Sequence, residues 1–229
     1  MLEEGDDVAE LARASGAEIL GAAGGDGSLG PIAQVALDLD AAFVCIPFGT
    51  QNHFARDLGL DRDDPLAALA AFDDDAGERR IDVGSLGDRL FLNNVSLGAY
   101  ASLVHRRERH RRRGEALARL KALLKTARHR HRLHVRVNGQ PLTTRVLLIG
   151  NNLYELELST LGERKRLDAG ELQLWAADGW TPHAWHERVA SSFTIDPGSA
   201  RVRAAIDGEP VVLDSPIRAE SLPRALRVR

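Results

Sequence analysis

Cysteine is almost missing from this chain of 229 residues, with Cys45 standing alone. A single thiol excludes an internal disulfide framework and a cysteine metal cage. Long apolar runs are missing too. They break after a handful of residues, Ala41 to Ile46 being typical, far short of the roughly 20 that cross a bilayer as a helix. No charged-then-apolar leader opens the sequence, so no secretory signal is expected. Internal repeats and long low-complexity segments are also lacking. A reducing, cytoplasmic setting fits these absences best. What is present suffices for one sizeable core or two modest ones: 44% of the residues are hydrophobic.

The formal net charge of −3 conceals a strong asymmetry. Between His105 and Arg136 stand 13 Lys and Arg and only two acids, Glu108 and Glu115, a net +11. The remainder carries 17 basic and 31 acidic residues, a net −14. Such separation points to one face meeting an anionic partner. No aromatic residues interleave with the basic ones, which argues against nucleic acid.

Two loops about twenty residues apart carry the most information: Gly24-Gly25-Asp26-Gly27-Ser28 and Pro47-Phe48-Gly49-Thr50-Gln51-Asn52. Each follows an apolar run that reads as a strand, Ile19 to Ala23 and Ala42 to Ile46. Each leads into a helix-like stretch, Leu29 to Leu37 and His53 to Leu58. Both would open at the carboxyl edge of one parallel sheet, where α/β proteins bind ligands. Glycine permits sharp turns and close approach, and amides at a helix start attract anions. A phosphate-bearing ligand is the expected guest. Ser28 and Asn52 suit helix capping as well as ligand contact, and Asp26 suits either turn fixing or a magnesium–phosphate complex held through water.

A helix is expected from Asp6 to Ser15, stopped by Gly16, and another beginning near Pro65 with Leu66, Leu69, Ala70 and Phe72 along one side. After Arg79 the texture changes to short β-branched or alternating runs: Ile81 to Gly84, Arg89 to Leu97, His134 to Val137, Thr143 to Ile149 and Leu172 to Ala176. The style continues with Ser192 to Ile195, Ala200 to Ile206 and Pro210 to Leu213. One basic helical block, at about 103–130, interrupts them. The fold class expected is therefore α/β followed by β: a parallel-sheet nucleotide-binding domain over residues 1–80, then a mostly antiparallel β-sandwich over residues 81–229. Ala225 to Arg229 are expected to return to the first domain.

In this order the motifs resemble the catalytic domain shared by diacylglycerol kinases, sphingosine kinases and bacterial lipid kinases. The resemblance rests on the two loops, the second extended through His53-Phe54-Ala55-Arg56, and on Ile81-Asp82-Val83-Gly84. It continues through Phe91-Leu92-Asn93-Asn94-Val95-Ser96-Leu97-Gly98, Gly150-Asn151-Asn152 and Leu167-Asp168-Ala169-Gly170-Glu171-Leu172. It closes with Ile206-Asp207-Gly208-Glu209-Pro210 and Leu222-Pro223-Arg224-Ala225-Leu226. It implies ATP and Mg2+ meeting a diacylglycerol-like lipid in a cleft between the domains. By that similarity Gly24, Gly25, Asp26, Gly27, Ser28, Gly49, Thr50 and Asn52 hold the nucleotide, Asp207 is the general base, Glu209 assists it, and Asp168 lies near a metal. A carboxylate within reach of a hydroxyl can accept its proton as it attacks phosphorus. On residue type alone, Asp207-Gly208 between strands is a hairpin turn.

Several positions depart from the family pattern. Ser28 stands where Thr is usual, His53 where Asp is usual, and Ala169 replaces a second Asp in the presumed metal turn. The sequence starts just before the second helix of the family pattern, without the opening strand and Asn-Pro-x-x-Gly loop, so a fragment, a misassigned start or diminished nucleotide binding is expected. Two other readings stay open: a kinase-like protein binding lipid or nucleotide without catalysis, and an enzyme similar to NAD kinases, which share the Gly-Gly-Asp-Gly loop. The second loop and Asp-Gly-Glu argue against the latter. A lipid kinase must also reach its substrate, so the basic stretch 105–136 is expected to meet an anionic membrane surface peripherally. A homodimer is left open.

Overall fold

A computed structural model of the chain describes residues 7–49, 52–98, 132–155, 163–177 and 185–229. The expected basic helix at 103–130, most of the stretch 105–136, and Thr50 lie outside the described residues.

The chain begins with α1 (Val8–Ser15), β1 (Ile19–Gly24), α2 (Asp26–Leu39), β2 (Ala42–Pro47) and α3 (His53–Asp57). Asp7 starts α1 by accepting the Ala9 and Glu10 amides at 3.0 and 3.1 Å, and Gly16 ends it in the left-handed conformation. β1 and β2 pair in parallel from Ile19 opposite Ala42 to Gly24 opposite Pro47. The two glycine-bearing loops therefore leave the same sheet edge side by side. The helix expected after Pro65 is instead a 3-10 segment, Ala67–Phe72. Its apolar side is only partly covered: Ala68 is buried and Phe72 lies against Gly21, whereas Leu66 is 68% exposed and Leu69 47%.

The strands that follow are β3 (Arg79–Leu86), β4 (Arg89–Phe91), β5 (Asn94–Gly98), β6 (Leu133–Val137), β7 (Gln140–Thr144), β8 (Val146–Asn151), β9 (Tyr154–Glu155) and β10 (Glu163–Arg164). β11 (Leu172–Ala177), β12 (Trp185–Ala190), β13 (Ser192–Asp196), β14 (Arg201–Ile206), β15 (Glu209–Asp214) and β16 (Ile217–Val228) complete the order. The fold is the expected class, a parallel-containing α/β sheet with an antiparallel sheet beyond it. One sheet runs β1-β2-β16-β13-β6-β7, with β3 and β4 attached through β16, and the second is antiparallel in the order β12-β11-β8-β5-β14-β15.

Two runs that read as single strands are each divided between the sheets. Arg89 to Leu97 becomes β4 in the first sheet and β5 in the second, and Thr143 to Ile149 becomes β7 and β8. Residue alternation marks a strand but not a change of partner. Two apolar cores result. The first gathers Leu29, Ala33, Phe43 and Phe54 beneath α2 and α3, and the second gathers Phe91, Leu97, Ile149, Leu174 and Phe193 between the sheets. β16 serves both, giving Ile217 and Ala219 to the second and Leu226 and Val228 to the first, with a bulge between Leu222 and Leu226. Its end pairs in parallel with β2, Val228 opposite Phe43.

Candidate active site

At the edge of β1 and β2 the loops interlock. The Phe48 amide donates to the Gly24 carbonyl at 3.1 Å. A side chain on Gly49 would fall 2.9 Å from the Gly25 nitrogen and 2.7 Å from Asn52 Oδ1, so this glycine exists because the first loop passes through the space. Asn52 is buried with φ 49° and closes the second loop on itself: its Oδ1 accepts the Gly49 amide at 2.9 Å and its Nδ2 donates to the Gly49 carbonyl at 2.8 Å. Ser28 donates its hydroxyl to the Gly25 carbonyl at 2.8 Å. No side chain caps α2, so the positive end of its dipole can favour an anion.

Asp26, the first residue of α2, performs a capping role for the other helix. Its oxygens accept the amides of His53 at 3.1 Å and Phe54 at 2.9 Å, the first two of α3. The carboxylate thereby ties one loop to the helix of the other.

Asp207 and Gly208 turn the hairpin from β14 to β15 with φ of 47° and 88°, the double positive φ of a type I′ turn. The Asp207 carboxylate points inward and accepts three consecutive amides, Leu92 at 2.7 Å, Asn93 at 2.8 Å and Asn94 at 2.9 Å. These amides are available because the chain leaves one sheet for the other between β4 and β5. Burial pushes the Asp207 carboxyl up to about 6, outweighing the three amides, which pull the other way, and Asp26 nearby adds to the rise. The next hairpin residue, Glu209, is exposed and lays its side chain across Gly27. The Asp-Gly-Glu hairpin and the Gly-Gly-Asp-Gly loop thus come together from opposite ends of the sequence.

Asn93 stands between them. Its backbone amide serves Asp207, its Nδ2 donates to Asp26 at 3.3 Å, and its Oδ1 accepts Arg164 at 3.0 Å. Arg164 is buried and forms a 2.6 Å ion pair with Asp57, at the end of α3. The Tyr154 hydroxyl donates to the Asn93 carbonyl at 2.8 Å, and burial pushes that phenol well above its ordinary range. Sequence reading assigned no site role to Asn93, Arg164, Asp57 or Tyr154. Asn93 lies inside Phe91 to Gly98, one of the motifs that carry the resemblance, but no motif marks Arg164.

Asp168 lies apart from this group. It accepts Arg166 at 3.1 Å and pairs with Arg224 at 3.5 Å, and the Arg166 bond leads in holding its carboxyl below the usual carboxylate range. The buried carboxylate in this region is Asp82, which accepts the amides of Gly170 at 2.6 Å and Arg224 at 2.7 Å. It binds the 167–170 turn and the β16 bulge to β3. Among the described residues no three acidic, histidine or cysteine side chains are grouped to hold a metal, and no helix is long and apolar enough to cross a membrane.

Residues 2–86 match the family described as the diacylglycerol kinase catalytic domain. By sequence, the chain resembles that family. A protein named probable lipid kinase YegS-like from Pseudomonas aeruginosa (strain UCBPP-PA14) is 40% identical over 106 residues, which are 44% of this chain and 34% of that protein. One of the same name from Pseudomonas fluorescens is 40% identical over 100 residues, 42% of this chain and 32% of its own length. The chain thus covers about a third of the curated relatives it matches. In fold, a diacylglycerol kinase from Bacillus anthracis str. Sterne superposes over 100% of this chain and 81% of its own, with a TM-score of 0.71 at 18% identity.

Proposed function

We propose that the protein is an ATP-dependent lipid kinase that phosphorylates the hydroxyl of diacylglycerol or a related lipid alcohol. The observation that carries this reading is the meeting of Asp207 and Asp26 at Asn93. A carboxylate with its acidity tuned to about 6 by burial then stands beside a glycine loop suited to phosphate. Residues 1–80 would form the nucleotide-binding domain and residues 81–229 the domain that brings the base.

In this reading Gly24 to Ser28 and the Gly49–Asn52 loop hold the nucleotide. Asp207 accepts the lipid hydroxyl proton, the oxygen bonds to the terminal phosphorus, and the bond to the bridging oxygen breaks to release ADP. Glu209, over Gly27, orients the acceptor. The donor set suits Mg2+ brought in with the nucleotide rather than a caged ion, since Mg2+ is often held by one or two carboxylates plus phosphate oxygens. Asp26, which already accepts His53, Phe54 and Asn93, has one lone pair left for this role, on Oδ2. When bound, the ion would neutralise charge developing on the phosphates. The protein would act in the cytoplasm, peripherally at the membrane where its lipid resides.

The test is transfer of label from γ-labelled ATP to diacylglycerol in mixed micelles, with NAD as the competing acceptor. Labelled phosphatidic acid is expected, with no labelled NAD. ATP binding without lipid-dependent ADP release, or label entering NAD, would overturn the reading.

A further inference from the structure

Arg164 occupies an unusual place for a guanidinium. Its side chain is 0% exposed and that of Asp57 1%. Every arm of the fork is used: Nε on Asp57 at 2.6 Å, Nη1 on the Leu92 and Asn151 carbonyls at 2.7 and 3.1 Å, and Nη2 on Asn93 Oδ1 at 3.0 Å. Its face lies 5.2 Å from the centre of the Tyr154 ring, whose hydroxyl also reaches Asn93.

These contacts close a ring. Asp26 caps the start of α3, Asp57 ends α3 and grips Arg164, Arg164 holds Asn93, and Asn93 returns to Asp26. The Asn93 backbone amide meanwhile carries Asp207. A side-chain amide has one acceptor end and one donor end. With the guanidinium, a pure donor, fixed on its oxygen, the nitrogen of Asn93 must face Asp26.

We propose that Arg164, anchored by Asp57, is a positioning residue that sets the separation of the Asp26 and Asp207 carboxylates through Asn93. This rests on the kinase reading for its catalytic consequence, but not for the coupling itself. A buried ion pair is weak evidence of stabilisation, because apolar replacement of both partners is often neutral or better. Its use here is geometric: it fixes the nucleotide loop relative to the base, and a misplacement of about 1 Å in such a site costs about a hundredfold in rate.

The test compares the full chain with Arg164→Lys, Arg164→Met and the double variant Asp57→Leu/Arg164→Met. Kinetics, thermal midpoint and proton exchange of the Asn93 side-chain amide by NMR are the readouts. The proposal expects the double variant to fold and to lose about thirtyfold or more in kcat, with KM for ATP within about threefold. Arg164→Lys should recover part of the kcat lost in Arg164→Met, and Asn93 side-chain exchange should quicken in both Met-containing variants. Wild-type kcat in the folded double variant would overturn the proposal. So would wild-type Asn93 exchange in Arg164→Met, and this arm holds whatever the chain phosphorylates. Absence of lipid-dependent turnover in the unmutated chain, with Asn93 exchange still quickened, would overturn the kinase reading and leave the coupling supported.

Discussion

The side chain of Glu209 lies across the α-carbon of Gly27, so close that a methyl group there would come within 2.6 Å of Glu209 Cγ and 2.8 Å of its carboxyl carbon. Glycine at this position leaves room for an acid arriving from the far end of the sequence. The neighbouring Asp207 is brought in by the same hairpin.

Gly27→Ala should therefore act on activity more than on stability. Alanine favours a helix over glycine by about 1 kcal/mol, and the obstructing side chain is flexible, so unfolding free energy should change by no more than about that much. Phosphoryl transfer should fall by about tenfold or more as Glu209 is displaced. Thermal unfolding and steady-state kinetics on one preparation check both. Unchanged kinetics would remove Glu209 from the acceptor site.

Gly49→Ala should behave in the opposite way. The obstruction is the backbone of Gly25, its α-carbon nearest, with Asn52 Oδ1 beside it, and neither can yield without parting the loops. Overpacking of this kind costs about 1–3 kcal/mol. A lowered denaturant midpoint, with weakened nucleotide binding by calorimetry, is the expected result.

The pH dependence follows from Asp207. Its folded carboxyl is raised to about 6 by burial, above the ordinary value it takes in the unfolded chain. The folded state therefore binds this proton more tightly. The stability that Asp207 contributes is complete below the unfolded value and is lost as pH rises through about 6. Activity should run the other way, since a base must be ionised, and kcat/KM, which reports the free enzyme, should climb with a midpoint near pH 6. Paired pH profiles of unfolding and turnover check the two slopes. Asp207→Asn should flatten the stability slope between about pH 4 and 6.

Asp82→Ala should damage the fold directly. It strands the partly buried amides of Gly170 and Arg224. Since a fully buried unsatisfied donor costs about 1–3 kcal/mol, the loss should fall toward the low end of that range for each. A fall in the urea midpoint should be accompanied by faster amide exchange at 167–170 and at the β16 bulge.

Much of this was legible in the chain. The strand–turn–helix repeat placed both glycine segments at one sheet edge, because apolar runs, glycines and helix stops are local signals. The helix after the first segment, however, begins at Asp26 rather than Leu29, so Asp26, Gly27 and Ser28 form its first turn instead of a loop. The partners of Arg89 to Leu97 were not legible. That run changes sheets at Leu92 and Asn93, and only tertiary structure shows that the freed amides serve Asp207. The length of β16 was also hidden, since its strand runs through Pro223 and a bulge and alternates poorly. Arg164 was least visible of all: burial of a charge depends on partners far along the chain, here Asp57 and Asn93, and no spacing announces them.

The most direct test of the central claim separates binding from transfer in Asp207→Asn. The account predicts ATP affinity within about threefold of the unmutated chain, and lipid phosphorylation reduced by about a hundredfold or more, the scale of a lost general base. Lipid phosphorylation at the unmutated rate in Asp207→Asn would contradict it.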